Sequence, residues 1–465
     1  MIRTLAIVAL LGASPALSAQ QPLAEQIDSV DAYIARVMDD EQVPGIAVAV
    51  MRDGKVVLTK GYGFADLEHR VPVTARTVFQ SGSVGKAFTV MAVLMLVDDG
   101  RVRLDAPLAT YFPDAPDTWA PITVRHLLEH TSGLPGYPDD FDFRVDRSED
   151  ELFAIIRDQP LGFAVGAKRG YSNLGFVLLG MMVRKVTGAF YGDFLAERVF
   201  GPSGMPTARL ISEADIVPGR ARGYRLVDGV LKHQEWVAPT LNTTADGSLL
   251  LSALDMAAWD AALHERRLLS PASYARMWTR LVTTDGVEQP YGMSWQMPDV
   301  GSQRLIEHSG GWQGFTANYS RYPAAGFSVA VFLNRRAVDP IRVTRGIQRI
   351  FHPELSLAGV PAITDPDPEM ARFVREFVGI VAAGRLQASQ FAPAIAEEIM
   401  AGAGDAAELF RSFGTLQQVD LLSRTVTPDG LRRVSYRLTY SGRVVAFRFD
   451  RDARGIITDI QVQPE

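Results

Sequence analysis

The chain has no cysteine in 465 residues, which excludes disulfides, thiolate metal sites and cysteine nucleophiles. Lysine is nearly as scarce: Lys55, Lys60, Lys86, Lys168, Lys185 and Lys232 are the only six among 47 basic residues. Positive charge is not in excess. With 53 acidic residues the net charge is −6, and the chain carries no basic footprint for nucleic acid. Long apolar runs are also missing. Ala87–Val97 and Phe176–Val183 are too short to cross a bilayer, which takes about 20 residues, so no transmembrane helix is expected. Internal repeats and low-complexity tracts are absent as well.

What remains is an ordinary globular composition, 47% hydrophobic and 22% charged, which excludes a wholly disordered or fibrous chain. At roughly 150 residues per domain the length allows two or three domains. The N-terminus carries one positive charge at Arg3, an apolar run Leu5–Ala13 and small residues up to Ala19. Those three regions describe a secretory signal peptide over residues 1–19. A periplasmic or secreted location after its removal is therefore expected, and without cysteine there is no lipoprotein anchor.

Apolar spacing predicts a helix over 24–40, ended before Pro44-Gly45. Ile46–Met51 and Val56–Thr59 flank Asp53-Gly54, a hairpin signal. Helix-like patterning dominates from about 86 to 290. Strand-like runs return at Thr316–Tyr322 and Phe327–Leu333, before a helical Arg342–Phe351. Strands at both ends with helices between them imply an α+β domain whose late strands join the early hairpin in one sheet. The proline-bearing stretch 356–367 reads as a linker. Residues 368–465 restart the pattern as a small α+β accessory domain, with helices near 368–384 and 405–414 and four strands after 417. It shows no chemical constellation.

One of the rare lysines, Lys86, follows Ser83 by three residues at the start of the apolar helix pattern Ala87, Phe88, Val90, Met91, Leu94 and Met95. A serine in the first turn would meet the positive end of the helix, where an oxyanion is stabilised. Burial there would disfavour a charged lysine and let it act as a base. The spacing alone is weak, because a cap followed by a surface lysine looks the same. Tyr171-Ser172-Asn173 adds weight, since the chain has only four asparagines and this tripeptide precedes another apolar helix. His308-Ser309-Gly310-Gly311 follows, leading into the late strands.

These three motifs, in this order, resemble the serine beta-lactamase and penicillin-binding-protein superfamily, in its class C beta-lactamase-like branch of serine hydrolases. Ile122–Leu134, Met181–Gly188 and Asp255–Trp259 resemble recurrent segments of that branch. The resemblance covers 25–355. It implies a beta-lactamase-like domain: an antiparallel sheet flanked by helices, plus a mainly helical region. It also implies covalent acyl transfer without metal or cofactor, on a small ester, peptide or beta-lactam substrate. Ser83 would be the acylated nucleophile, Lys86 would hydrogen-bond to it and share the proton transfer, and Tyr171, as phenolate or as a shuttle coupled to Lys86, would take the serine proton and hand it to the leaving group. Asn173 would orient Lys86, and the N–H groups of Ser83 and Gly311 would form the oxyanion hole. His308 stands where relatives often carry lysine, and it should be largely neutral near pH 7, which weakens recognition of a substrate carboxylate. Trp312 could line the substrate side. Asp246-Gly247-Ser248 departs from the small, glycine-rich stretch common at this point, without an evident reason.

Other readings compete. His126-Leu127-Leu128-Glu129-His130 has the spacing of a zinc peptidase motif, although Thr131–Pro135 ends that helix at once and no third ligand is evident. An α/β-hydrolase needs glycine at position 81, which is serine. A non-catalytic binding protein on the same fold is the alternative from another class. Ester, D-amino-acid peptide and beta-lactam chemistry stay unresolved, as do the oligomeric state and the role of the last hundred residues.

Overall fold

A computed structural model describes residues 22–464 apart from 211–213, 301–302, 428–429 and 442. The expected signal peptide, residues 1–19, lies outside the described residues.

The fold is α+β, as expected. The Asp53-Gly54 turn has both residues at positive φ, 51° and 69°, the geometry that matches the twist of a two-residue hairpin. It joins strands Gly45–Arg52 and Lys55–Asp66. Across the other edge of Gly45–Arg52 lies Phe327–Leu333, antiparallel, with Ala49 opposite Ala330. Next come Phe315–Tyr322 and then Ile306–Trp312, so the late strands do join the early hairpin. Short strands at Val71–Pro72 and at Tyr291–Gly292 with Trp295–Gln296 complete an eight-stranded sheet.

Alternation along these strands sends side chains to two separate cores. Ile46, Val48, Val50, Val329 and Val331 face the helices Leu23–Asp40 and Pro340–Phe351, through Val30, Ile34, Val343 and Ile347. Ala47, Ala49, Met51, Ala330 and Phe332 face the helical region, where Lys86–Asp98 is buried along nearly its whole length. The serine–lysine and tyrosine–serine–asparagine motifs lie on that second face, next to Val84, Ala87 and Leu174.

Residues 368–464 build a third apolar cluster. Helices Pro368–Ala382, Pro393–Ala401 and Ala403–Ser412 precede an antiparallel meander of Leu416–Val426, Arg432–Tyr440, Val444–Arg451 and Ile457–Pro464. Helix Pro393–Ala401 was not expected; it has no fully buried residue, so its apolar periodicity is weak. Arg437 donates to the carbonyls of Leu357, Ala358 and Val360, tying the meander to the chain segment that leads into it.

Candidate active site

Phe79–Gln80 pairs with Leu250–Leu251, and Ser81 N–H donates to Leu249 O at 2.8 Å. This short ladder fixes the segment before Ser83 against the segment after Asp246. Ser83 itself sits in a tight 3₁₀ turn, Gly82–Gly85, rather than in the first α-helical turn; the α-helix starts at Lys86. Gly82 has φ +50°, which a side chain would strain, and a Cβ there would fall 2.5 Å from Gly311 N. A Cβ at Gly247, φ +140°, would fall 2.9 Å from Ser83 N. Close main-chain approach therefore brings the Ser83 and Gly311 N–H groups to one cleft, bordered by Asn173, Asp246, Gly247 and Trp312. The glycine of Asp246-Gly247-Ser248 thus has a reason that the sequence did not reveal.

Lys86 is fully buried. Its Nζ donates to Ser83 Oγ at 3.2 Å, to Asn173 Oδ1 at 2.7 Å and to the main-chain oxygen of Asp246. Burial drives the amine down to about 8, partly opposed by the Asp246 charge. Asn173 reaches the amine because Ser172 starts the helix Asn173–Thr187: its Oγ accepts from Gly175 N–H at 3.1 Å and donates to Pro135 O.

The Lys86 Nζ lies 4.9 Å from the centre of the Tyr171 ring. Tyr171 as a whole is 41% exposed, yet its hydroxyl lies in the enclosed surroundings of Ser83. Enclosure raises the phenol above its ordinary value, and a hydrogen bond with Ser83 works the other way. His130 packs against the same ring, tilted by 33°, with ring centres 4.4 Å apart. Its Nδ1 accepts from Ser172 N–H at 3.1 Å, so the proton sits on Nε2, which has no hydrogen-bond partner.

His308 is buried, and its proton is fixed on Nδ1 by the Ser309 carbonyl at 2.6 Å. Its Nε2 accepts from the Ser294 hydroxyl at 3.2 Å, with Ser294 held at φ +67°. Burial first, and the Lys86 charge second, push His308 down to about 4. The neutral imidazole expected from the sequence is what this environment favours. Trp312 closes the cleft and meets Phe143 edge to face at 6.1 Å; Phe143, Phe141 and Tyr137 form a continuous aromatic cluster.

Ser83, Lys86, Tyr171, Asn173, His308, Gly311 and Trp312 are therefore gathered around one cleft. His126, Glu129 and His130 do not converge. His126 Nδ1 faces Thr123, Glu129 pairs with Arg125 at 3.8 Å, and His130 leaves the helix at φ +57° to pack against Tyr171. A larger cavity of about 310 Å³, lined by Val177, Met181, Phe190 and Thr244, touches none of the catalytic candidates. Sequence reasoning missed the roles of Asp246 and Ser294. Only the unexplained Asp246-Gly247-Ser248 departure hinted at the first of them.

Residues 30–350 match the Beta-lactamase family model, and the chain belongs to that family. A D-aminopeptidase of Brucella ovis (strain ATCC 25840 / 63/290 / NCTC 10512) is 30% identical over 304 residues, 62% of this chain and 56% of that protein. The chain spans about 56–64% of the length of the curated relatives it matches. D-amino acid amidase from Ochrobactrum anthropi SV3, solved with L-phenylalanine amide, superposes with a TM-score of 0.61 at 27% identity, over 70% of this chain and 97% of that one. The octameric penicillin-binding protein homologue from Pyrococcus abyssi shares the fold across 94% of this chain and all of its own, with a TM-score of 0.62 at 23% identity.

Proposed function

We infer that this chain is an exported serine hydrolase that cleaves an amide or ester through a covalent acyl-Ser83 intermediate. The observation that carries the reading is the enclosed Lys86 amine, shared between Ser83 Oγ at 3.2 Å and Asn173 Oδ1 at 2.7 Å.

An amine brought down to about 8 is neutral in a useful fraction near physiological pH, and a raised phenol stays protonated. Lys86 then accepts the Ser83 proton as Oγ attacks the substrate carbonyl. The Ser83 and Gly311 N–H groups receive the oxyanion. Tyr171, protonated and beside both groups, passes a proton to the departing amine or alcohol. Water completes the cycle by hydrolysing the ester, and the same groups act in reverse.

Substrate preference follows from charge. Among the described residues lining the cleft there is no cation, and Lys86 beside Ser83 is committed to Ser83, Asn173 and Asp246. His308 is neutral and offers no charge to a substrate carboxylate, while Arg169, two residues before Tyr171, lies over the Tyr291 ring at 4.6 Å. The reading favours D-amino-acid amides or peptides, and esters, over substrates anchored by a carboxylate; the D-aminopeptidase and D-amino acid amidase relatives support that class. Trp312, backed by Phe143, offers an apolar wall for the acyl side chain.

The test offers purified protein short-chain aryl esters, D-amino-acid amides and a chromogenic cephalosporin side by side. Turnover of esters or amides with a mass-shifted Ser83 peptide is expected. A protein that binds but never acylates Ser83 would be a binding module instead.

A further inference from the structure

The Asp246 carboxylate is 5% exposed, in a place where a charge needs partners. It has two hydroxyl donors: Tyr137 at 3.0 Å on Oδ2 and Thr244 at 2.6 Å on Oδ1. Its own main-chain oxygen accepts from Lys86 Nζ. The ladder from Phe79–Gln80 to Leu250–Leu251 and the Gly247 contact with Gly82 and Ser83 leave this residue little freedom. Tyr137 in turn belongs to the aromatic cluster that backs Trp312.

We propose that Asp246 is a positioning residue: its clamped carboxylate holds the carbonyl that orients the Lys86 amine and supplies the counter-charge for the ammonium that forms when Ser83 gives up its proton. This rests on the serine hydrolase reading above. The groups facing the pair come from several elements. Tyr137, Tyr171 and Tyr191 feel the Asp246 charge, while His130 and His308 feel that of Lys86. Both histidines are held neutral by burial, so Asp246 is the anion whose field reaches the amine. Tyr137 links this anion to the substrate wall.

The scarcity of lysine supplies the assay. Protein grown with lysine carbon-13-labelled at Cε has six signals at most, and Lys86→Arg identifies one of them. In the wild type that signal titrates near 8, and the acid limb of kcat/KM falls at the same pH. In Asp246→Asn the counter-charge is lost, so both midpoints move to lower pH by on the order of one unit. Asp246→Glu restores them toward the wild-type value. An unchanged lysine midpoint in folded Asp246→Asn overturns the proposal. The carbon signal reports on Lys86 whether or not a substrate is turned over, so failure of the hydrolase reading is seen separately. Tyr137→Phe keeps the ring and removes one donor. It should lower kcat several-fold with a smaller limb shift, and wild-type kcat/KM at every pH in that variant also overturns the proposal.

Discussion

At the cleft, three neighbouring side chains face opposing demands on their protons. Burial pushes Lys86 toward the free amine and Tyr171 toward the phenol, so one is ready to accept while the other is ready to give. Ser83→Ala should abolish turnover of an aryl ester, because no other hydroxyl occupies the turn against Gly311. Tyr171→Phe should lower kcat about 100-fold, within the range for losing an acid–base group; a near-normal rate in either variant contradicts the mechanism. His308 makes a different prediction, about stability. Its folded-state value of about 4 lies below the ordinary 6.5, so the unfolded chain takes up that proton first as pH falls. Stability therefore drops between about 6.5 and 4, and His130 acts in the same direction. His308→Gln should flatten the fall in melting temperature across that window. The motif residues were legible because rare types stood at fixed spacings. Asp246 was not, since a lone aspartate between alanine and glycine has no periodicity or spacing to mark it; only three-dimensional closure beside Lys86 gives it meaning.

At the scale of elements, the site depends on main chains that pass unusually close. Gly247 has a backbone conformation that L side chains rarely adopt, and its hydrogen points at the Gly82 carbonyl. Gly247→Ala adds both strain and a clash, for which about 1–3 kcal/mol is a reasonable cost of the backbone alone. The expected outcome is a lower melting temperature together with loss of Ser83 acylation, read by an acyl-serine probe. A wild-type melting curve would show that the loop has room to yield. The Asp53-Gly54 hairpin, the helix 24–40 and the late strands could be read from turn chemistry and alternation. By contrast, the 3₁₀ character of Gly82–Gly85 depends on the Gly311 strand pressing against it, a long-range contact that local pattern cannot encode.

The whole molecule separates its apolar interior into clusters that do not share residues. Those of the sheet are closed by residue 355, and that of 368–464 is built from its own helices and meander. Arg437 binds carbonyls of 357, 358 and 360, and Ile363 N–H donates to Leu421 O at 2.9 Å, so the link is made through the connecting segment. A chain of residues 22–360 should accordingly melt cooperatively and still acylate Ser83. Aggregation or loss of near-ultraviolet circular dichroism on truncation would mean that the C-terminal part completes the first fold. Its meander was legible from alternating strands and glycine turns. Its purpose was not, because its residues form a core without a chemical constellation.

Seclusion of one amine has a practical side. Lys55, Lys168, Lys185 and Lys232 are exposed, whereas Lys86 is sealed from solvent. Succinimidyl esters or aldehyde-bearing resins would therefore graft onto the periphery and spare Lys86, so an immobilised preparation should keep the activity of the free one.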